Sequence, residues 1–275
     1  MVISSFNDRP AKLFDGLEHI RLSIVLHTAD RTHGAHTTSY LRWSKDERDS
    51  LFERLRFSRS RIDMVRHYIP KAGGSPADSI IEKLFLHDSL PLSACFSNSG
   101  THSIIYTRKL SHFVQILSFV PKMVVDGMKR DPSELKAIYF PDDRSAGCAL
   151  SALNSSLFYW LLNVTSDCRN LNRREIDMFP LDVKSLSQLH AQKLQLLSEE
   201  LMDNFKANSK IVMMDFKKHG RMRIECVYPR LGKSIIDEID QVLAKHYNFT
   251  DEELDFILNY DIKYRLGADA DEDEE

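Results

Sequence analysis

The sequence has only ten glycines, and none of them lies in a nucleotide-binding pattern. Neither G-x-G-x-x-G nor G-x-x-x-x-G-K-[ST] occurs, so no glycine-rich phosphate loop is predicted. The G-x-S-x-G pattern of hydrolases and the H-E-x-x-H pattern of zinc proteases are also missing. A nuclease interpretation lacks a PD-(D/E)xK-like run. None of these catalytic classes is therefore predicted.

Cysteine is scarce, and no C-x-x-C pair occurs. The spacing favours reduced, structural thiols in a cytosolic protein over a zinc ribbon or a disulfide framework. One predicted loop carries three histidines, His27, His33 and His36. They could ligate zinc, or they could be near each other by chance. Because only Asp30 accompanies them, we expect no metal site. The four cysteines are Cys95, Cys148, Cys168 and Cys226.

Long apolar runs are also lacking. The start of the chain, MVISSFNDRPAK, carries Asp8 and Arg9 before any apolar run, unlike a secretory signal. The most apolar stretch, residues 112–125, is interrupted by Pro121 and Lys122 and is too short for a membrane span. We therefore expect a cytoplasmic protein with no membrane partner.

The charge is distributed unevenly, although the formal net charge of the chain is only -3. Residues 233–275 hold 14 acidic and 4 basic residues, whereas residues 1–232 hold 33 basic and 26 acidic residues. The body therefore carries a net charge of +7 and the C-terminal part -10. A basic body indicates a polyanionic partner. With 43% hydrophobic residues, the chain has ample material for a buried core.

Basic residues are grouped in three places, and each group could be a solvated face or a DNA contact. Arginine and lysine neutralise phosphates, and arginine and asparagine suit the edges of guanine and adenine. Three groups in one basic body favour nucleic acid. The first group is Arg54, Arg56, Arg59, Arg61 and Arg66; the second is Arg169, Asn170, Asn172, Arg173 and Arg174; the third is Lys217, Lys218, Arg221 and Arg223.

The hydrophobic pattern predicts an α/β fold. Strands are expected at 21–28, of the buried type, and at 36–43, with a Ser44–Glu47 capping box opening a helix to about Leu55. Further strands are expected at 102–108, around Phe119 and at 210–216. Helices are expected at 79–86, 145–163, 185–208, 233–247 and 250–260.

Three segments resemble a known family of proteins. They are SSFNDRPAKLFDGLEHIRLSIVL (4–26), LSALNSSLFYWLLNVTSDCRNLNRREIDMFPL (150–181) and YPRLGKSIIDEIDQVLAKHYNFTDEELDFILNYDIKYRLG (228–267). In this order they resemble bacterial adenine-N6 DNA methyltransferases of restriction–modification and related phage-defence systems. The resemblance spans nearly the whole chain, and its last segment is the most distinctive.

The motifs with which that family performs chemistry are missing here. The family's S-adenosylmethionine site needs a glycine-bearing turn, and its catalytic motif is Asn-Pro-Pro followed by Tyr or Phe. This sequence contains no Pro-Pro dipeptide. The resemblance is therefore to the C-terminal part alone: the end of the Rossmann-like catalytic sheet, then the target-recognition region.

The resemblance implies a division into consecutive segments. These are residues 1–57 as the end of the methyltransferase sheet, 58–78 as a connector, 79–232 as the mixed α/β target-recognition region, 233–267 as a C-terminal helix pair, and 268–275 as an acidic disordered tail.

The implied function is sequence-specific recognition of double-stranded DNA on behalf of the methyltransferase. The chain alone would bind no S-adenosylmethionine and transfer no methyl group. A catalytic subunit or a missing N-terminal part would be its partner. The alternative is a protein-interaction subunit of a defence complex, in which the basic groups are solvated.

The resemblance also implies an aromatic residue that stacks on the flipped adenine, for which Phe6 and Phe14 are the candidates. The alternative role of Phe14 is packing in the core. Phe6 lies between serines and Asn7–Asp8, so a core position is harder to explain for it. Asn172 is a candidate for pairing with adenine, and its alternative is to cap a helix that begins at Arg173.

Overall fold

The computed structural model of the protein describes residues 1–17, 20–27, 34–60, 68–85, 90–132, 134–216 and 220–267. Within these ranges the chain combines three small β-sheets with a set of α-helices. The expectation of a mixed α/β protein is therefore confirmed. The predicted acidic tail, residues 268–275, lies outside the described residues.

The secondary-structure elements are numbered in chain order. The strands are β1 (Val2–Phe6), β2 (Leu22–Leu26), β3 (His36–Leu41), β4 (Ser58–Arg59), β5 (His102–Tyr106), β6 (Ile116–Leu117), β7 (Met123–Val125), β8 (Met128–Arg130), β9 (Lys136–Phe140), β10 (Lys210–Phe216) and β11 (Gly220–Cys226). The helices are α1 (Ala77–Phe85), α2 (Asp143–Asn154), α3 (Ser156–Thr165), α4 (Arg173–Asp177), α5 (Gln188–Ala207), α6 (Lys233–His246), α7 (Asp251–Asn259) and α8 (Ile262–Arg265). None of these helices, in the part of the chain that is described, is long and apolar enough to cross a membrane.

The chain divides into two compact units. Each unit is built from three separate stretches of chain, whereas consecutive segments are predicted above. The first unit contains Met1–Asp88, Trp160–Arg169 and Tyr247–Phe256, and the second contains Ser89–Tyr159, Asn170–His246 and Ile257–Glu275.

The sheet of the first unit has the order β2-β1-β3-β4, with β1 parallel to β3 and antiparallel to β2. The predicted strands correspond to β2 and β3. The expectation that β2 is a buried strand is wrong, because β2 lies at the edge and Val25 and Leu26 are 52% and 66% exposed. The central position belongs to β1, which was not predicted.

The predicted helix from Ser44 to Leu55 is not formed. A 3-10 turn over Lys45–Glu47 is followed by turns instead. The capping interaction itself is present, because the Ser44 N–H donates to the Glu47 carboxylate at 2.9 Å. Leu51 joins the core of the first unit, whereas Phe52 is 58% exposed. A regular helix is therefore replaced by turns that place Leu51 inward.

The second unit contains two antiparallel sheets and a helical layer. The sheets have the orders β6-β5-β9 and β10-β11-β7-β8. In the helical layer α2 is almost completely buried, and α5 and α6 each bury one face. The apolar period predicted α5 and α6 within a few residues of their observed bounds.

The predicted helix 145–163 is two helices, α2 and α3, separated at Ser155. Asp240 of α6 stabilises this break. Its two carboxylate oxygens accept hydrogen bonds from the N–H groups of Ser156 and Leu157, each at 3.0 Å. These donors would otherwise be unsatisfied at a helix start. Burial raises the pKa of Asp240 to about 6, and these hydrogen bonds oppose that shift.

Arg265 of α8 is a fully buried cation in the second unit, 1% exposed. Its guanidinium donates to the His112 carbonyl at 3.1 Å and to the Ser156 hydroxyl at 3.0 Å. It also lies over the rings of Phe113 and Tyr159, at 4.2 and 5.0 Å from their centroids. The closing segment is therefore fixed by a buried charge as well as by apolar packing.

Candidate nucleic-acid interface

The two aromatic candidates for base stacking are placed opposite to expectation. Phe6 is 1% exposed and packs in the core with Trp43 and Leu51. Phe14 is 52% exposed. The expectation that Phe6 is the residue outside the core is wrong, because Phe6 lies on the core face of the central strand β1 and only its direct neighbour Ser5 points to the opposite face. A buried ring offers no free face to a base.

The first basic group lies on exposed turns of the first unit. Arg54 is paired with Glu47 at 2.8 Å, and Arg56 donates to the carbonyls of Glu53 and Leu55. Arg59 is exposed on the short strand β4. Arg61 and Arg66 lie outside the described residues. This group is therefore scattered over turns and a short strand.

The second basic group is held mainly by local carboxylates. Arg173 pairs with Asp177 at 2.5 Å, and Arg174 pairs with Glu175 at 2.9 Å. Arg169 is exposed and belongs to the first unit, whereas Asn170 forms an isolated bridge with Lys109 in the second. Such surface pairs reduce the charge available to a phosphate.

Asn172 is the N-cap of α4 and forms a capping box with Glu175. The Asn172 N–H donates to the Glu175 carboxylate at 2.9 Å. The residue is also half-buried. Its helix-capping alternative therefore describes its structural role, and the structure provides no support for adenine pairing by its amide.

The third basic group lies on the four-stranded sheet of the second unit. Strand pairing places Met213, Arg223, Val124 and Lys129 in one row across β10, β11, β7 and β8. Directly paired residues point to the same face of a sheet. Arg221, two residues from Arg223, lies on that face as well. Lys217 and Lys218 lie outside the described residues.

This face, which we call the basic sheet face (Lys129, Arg221 and Arg223), is exposed to solvent. Arg221 lies 3.9 Å from the carboxylate of Asp215. The side chains of Arg223 and Lys129 have no hydrogen-bond or ion-pair partner among the described residues. Neighbouring strands are about 4.8 Å apart, so the backbones that carry Arg223 and Lys129 are about 10 Å apart across β7.

Lys129 and its neighbour Arg130 were missed by the sequence analysis. They lie on β8, whose three residues are all exposed. The signal was the Asp126–Gly127 pair directly after the apolar run Met123–Val125, since such a pair is a strong indicator of a tight hairpin. Both residues have positive φ, 49° and 82°, as such a turn requires. Asp126 also accepts the Arg221 N–H at 3.0 Å, which joins the hairpin to β11.

No group of three or more His, Cys, Asp or Glu side chains within the described ranges could hold a metal ion. His33 and Asp30 of the predicted loop lie outside those ranges. Comparison of the chain with protein-family models, with curated proteins and with solved structures finds no match. What the resemblance implies about activity and partners therefore stays a prediction.

Proposed function

We propose that the chain is the DNA-recognising, C-terminal part of a bacterial adenine-N6 DNA methyltransferase. The basic sheet face of the second unit contacts the DNA backbone. The observation that carries the proposal is the pair Arg223 and Lys129, exposed on one face and without a carboxylate partner among the described residues. Unpaired surface cations attract phosphates and release counterions on binding.

The first unit is the end of a Rossmann-like catalytic sheet in this proposal. Its central pair β1–β3 is parallel, which supports this origin, whereas the edge strands β2 and β4 pair antiparallel. S-adenosylmethionine is the cofactor of the complete enzyme and is supplied by a catalytic subunit or an N-terminal part. The isolated chain binds no S-adenosylmethionine, which calorimetry tests directly.

The DNA proposal is tested by fluorescence anisotropy with a labelled duplex over a range of salt concentrations. Combined replacement of Arg223 and Lys129 by alanine should weaken binding about tenfold and flatten the slope of log affinity against log salt by about two. The matched control is Lys245→Ala, an exposed lysine on α6 of the same unit, which should leave the slope unchanged.

Two outcomes would contradict this function. If wild-type protein shows no salt-dependent duplex binding, a protein-interaction role is favoured, because an apolar interface is insensitive to salt. If duplex binding is strong but the double variant behaves like the control, DNA binds elsewhere and the basic sheet face is only a solvated surface.

A further inference from the structure

A cavity of about 340 Å³ lies on one face of the sheet in the first unit. Its floor is formed by Ser23, Ser5 and Tyr40, which pair in one row across β2, β1 and β3. The apolar core around Phe6 lies against the opposite face. The volume is at the lower end of the range for pockets that bind small molecules, about 300–1,000 Å³.

Two cations line this cavity. Lys71 donates from its ammonium to the Ser166 carbonyl at 2.5 Å and lies 5.7 Å from the centre of the Tyr40 ring. An ammonium carries three N–H donors, so two of them have no partner among the described residues. Arg21 is the second cation, and its contact with Asp8, outside the cavity lining, is long at 3.5 Å.

Tyr40 contributes a buried donor. The residue is 8% exposed, and its hydroxyl lies beside Arg21 but has no other hydrogen-bond partner among the described residues. Burial raises the pKa of this phenol, and the nearby charge of Arg21 opposes the shift only in part. The phenol is therefore protonated and can donate. A buried polar group without an acceptor is unfavourable, and an acceptor oxygen from a ligand would satisfy it.

The balance of charge in the cavity is positive. Asp167 is its one lining carboxylate among the described residues, and the Asp167 side chain accepts the Arg169 N–H at 2.9 Å. The hydroxyls of Ser5 and Ser23 lie 2.9 Å apart on the floor and supply further polar contacts. An anion with several oxygen acceptors satisfies more of these donors than a neutral ligand does.

The segment that carries Lys71 is held against the sheet. The Thr37 hydroxyl donates to the Pro70 carbonyl at 2.8 Å, and the Lys71 N–H donates to the Val164 carbonyl at 3.0 Å. Gly73 has a φ of +73°, and a Cβ there would come within 2.3 Å of the Ser39 nitrogen. Only glycine permits this approach, so the position of Lys71 over the cavity is fixed before any ligand binds.

We propose that this cavity binds the phosphate group of a small phosphorylated ligand of about nucleoside monophosphate size. Lys71, Arg21 and the Tyr40 hydroxyl donate to its oxygens from different sides. Three phosphate oxygens match these convergent donors better than the two oxygens of a carboxylate do. Recognition is by side chains, in keeping with the missing glycine-rich loop. The site is independent of the DNA contact proposed for the second unit.

The test is calorimetry and thermal unfolding of the full chain with AMP, inorganic phosphate and adenosine at matched ionic strength. AMP and phosphate should bind and raise Tm, whereas adenosine should not. Tighter binding of AMP than of phosphate identifies a nucleotide as the source of the phosphate group, and equal binding identifies free phosphate.

Variants locate the site. Lys71→Met should weaken AMP or phosphate binding at least tenfold. Tyr40→Phe should weaken it several-fold without lowering the Tm of the free protein, because it removes an unsatisfied hydroxyl. Lys245→Met is the matched control, and its affinity should equal that of wild type. Tyr40→Phe keeps the test decisive if Lys71→Met fails to fold.

Three results would overturn the proposal: no binding of AMP or phosphate, equal binding of AMP and adenosine, or unchanged phosphate binding in a folded Lys71→Met or Tyr40→Phe variant. Duplex binding is measured on the same samples. Because Lys71→Met leaves the basic sheet face intact, it should keep the DNA affinity of wild type, so failure of either proposal can be recognised separately.

Discussion

The two units use positive charge in different ways. On the basic sheet face of the second unit, Arg223 and Lys129 stand in solvent, where salt screens them and many polyanions can approach. In the cavity of the first unit, Lys71 is held above the buried Tyr40 by fixed neighbours. An exposed cation therefore provides attraction with little selectivity, whereas an enclosed cation selects for the size and charge of its ligand.

Arg265 is a third kind of cation, because it is buried and stabilises the folded second unit. Arg265→Ala should lower the free energy of unfolding by about 3–5 kcal/mol, because the Asp240 carboxylate and the His112 carbonyl lose a buried cation. Urea denaturation measures this effect. Lys263→Ala, an exposed cation on the same short helix, should change stability by less than about 0.5 kcal/mol. Similar losses of unfolding free energy in both variants would show that burial does not determine how much each cation contributes to stability.

Asp240 adds a pH dependence to the same buried network. Its pKa of about 6 in the folded protein exceeds the ordinary value of 3.8, so the folded state binds the proton more tightly. This group therefore favours folding fully below pH 3.8, and that contribution falls by about 3 kcal/mol as the pH rises to 6.

Asp240→Asn removes this titration. The unfolding free energy of wild type should therefore fall relative to that of Asp240→Asn between pH 4 and pH 6, as measured by urea denaturation at each pH. If wild type keeps or gains stability relative to Asp240→Asn over this range, the hydrogen bonds from Ser156 and Leu157 keep the carboxylate ionised.

Asn172 provides the smallest expected effect and tests a half-buried position with a structural role. Asn172→Ala should lower stability by about 1 kcal/mol through loss of the α4 cap. The ratio of DNA affinity for a preferred site to that for random duplex should not change. Asn172→Ser, which retains a capping oxygen, should restore most of the stability. A fall in that affinity ratio would reinstate Asn172 as a base-contacting residue.

Elements with a local signal could be predicted from the sequence. The apolar period predicted α5 and α6, and Thr250 with Glu253 marks the start of α7, where the Thr250 N–H donates to the Glu253 carboxylate at 2.7 Å. Patterns of this kind depend on residues three or four apart. Similarly, the apolar run Ile211–Met214 within β10 is visible without any knowledge of its partner strands.

Elements decided by distant contacts could not be predicted. The break between α2 and α3 depends on Asp240, 84 residues from Ser156. The central strand β1 contains two serines in five residues and becomes central only through pairing with β2 and β3. The cavity could not be predicted for the same reason, because no local sequence pattern links Lys71 with Tyr40. The basic sheet face was found in part, since Arg221 and Arg223 are two residues apart in sequence, whereas Lys129 is distant from both.

The three-stretch composition of the first unit has a consequence for synthesis of the protein on the ribosome. The stretch Met1–Asp88 is complete early, but the unit also requires Tyr247–Phe256. At a translation rate of about 5–20 residues per second, the early stretch waits roughly ten seconds or more for its last part. During that time α1 lacks its final partner, because Ser79 and Lys83 bind the Glu253 carboxylate in the complete protein. Chaperones that hold nascent chains would therefore be expected to engage this part of the protein first.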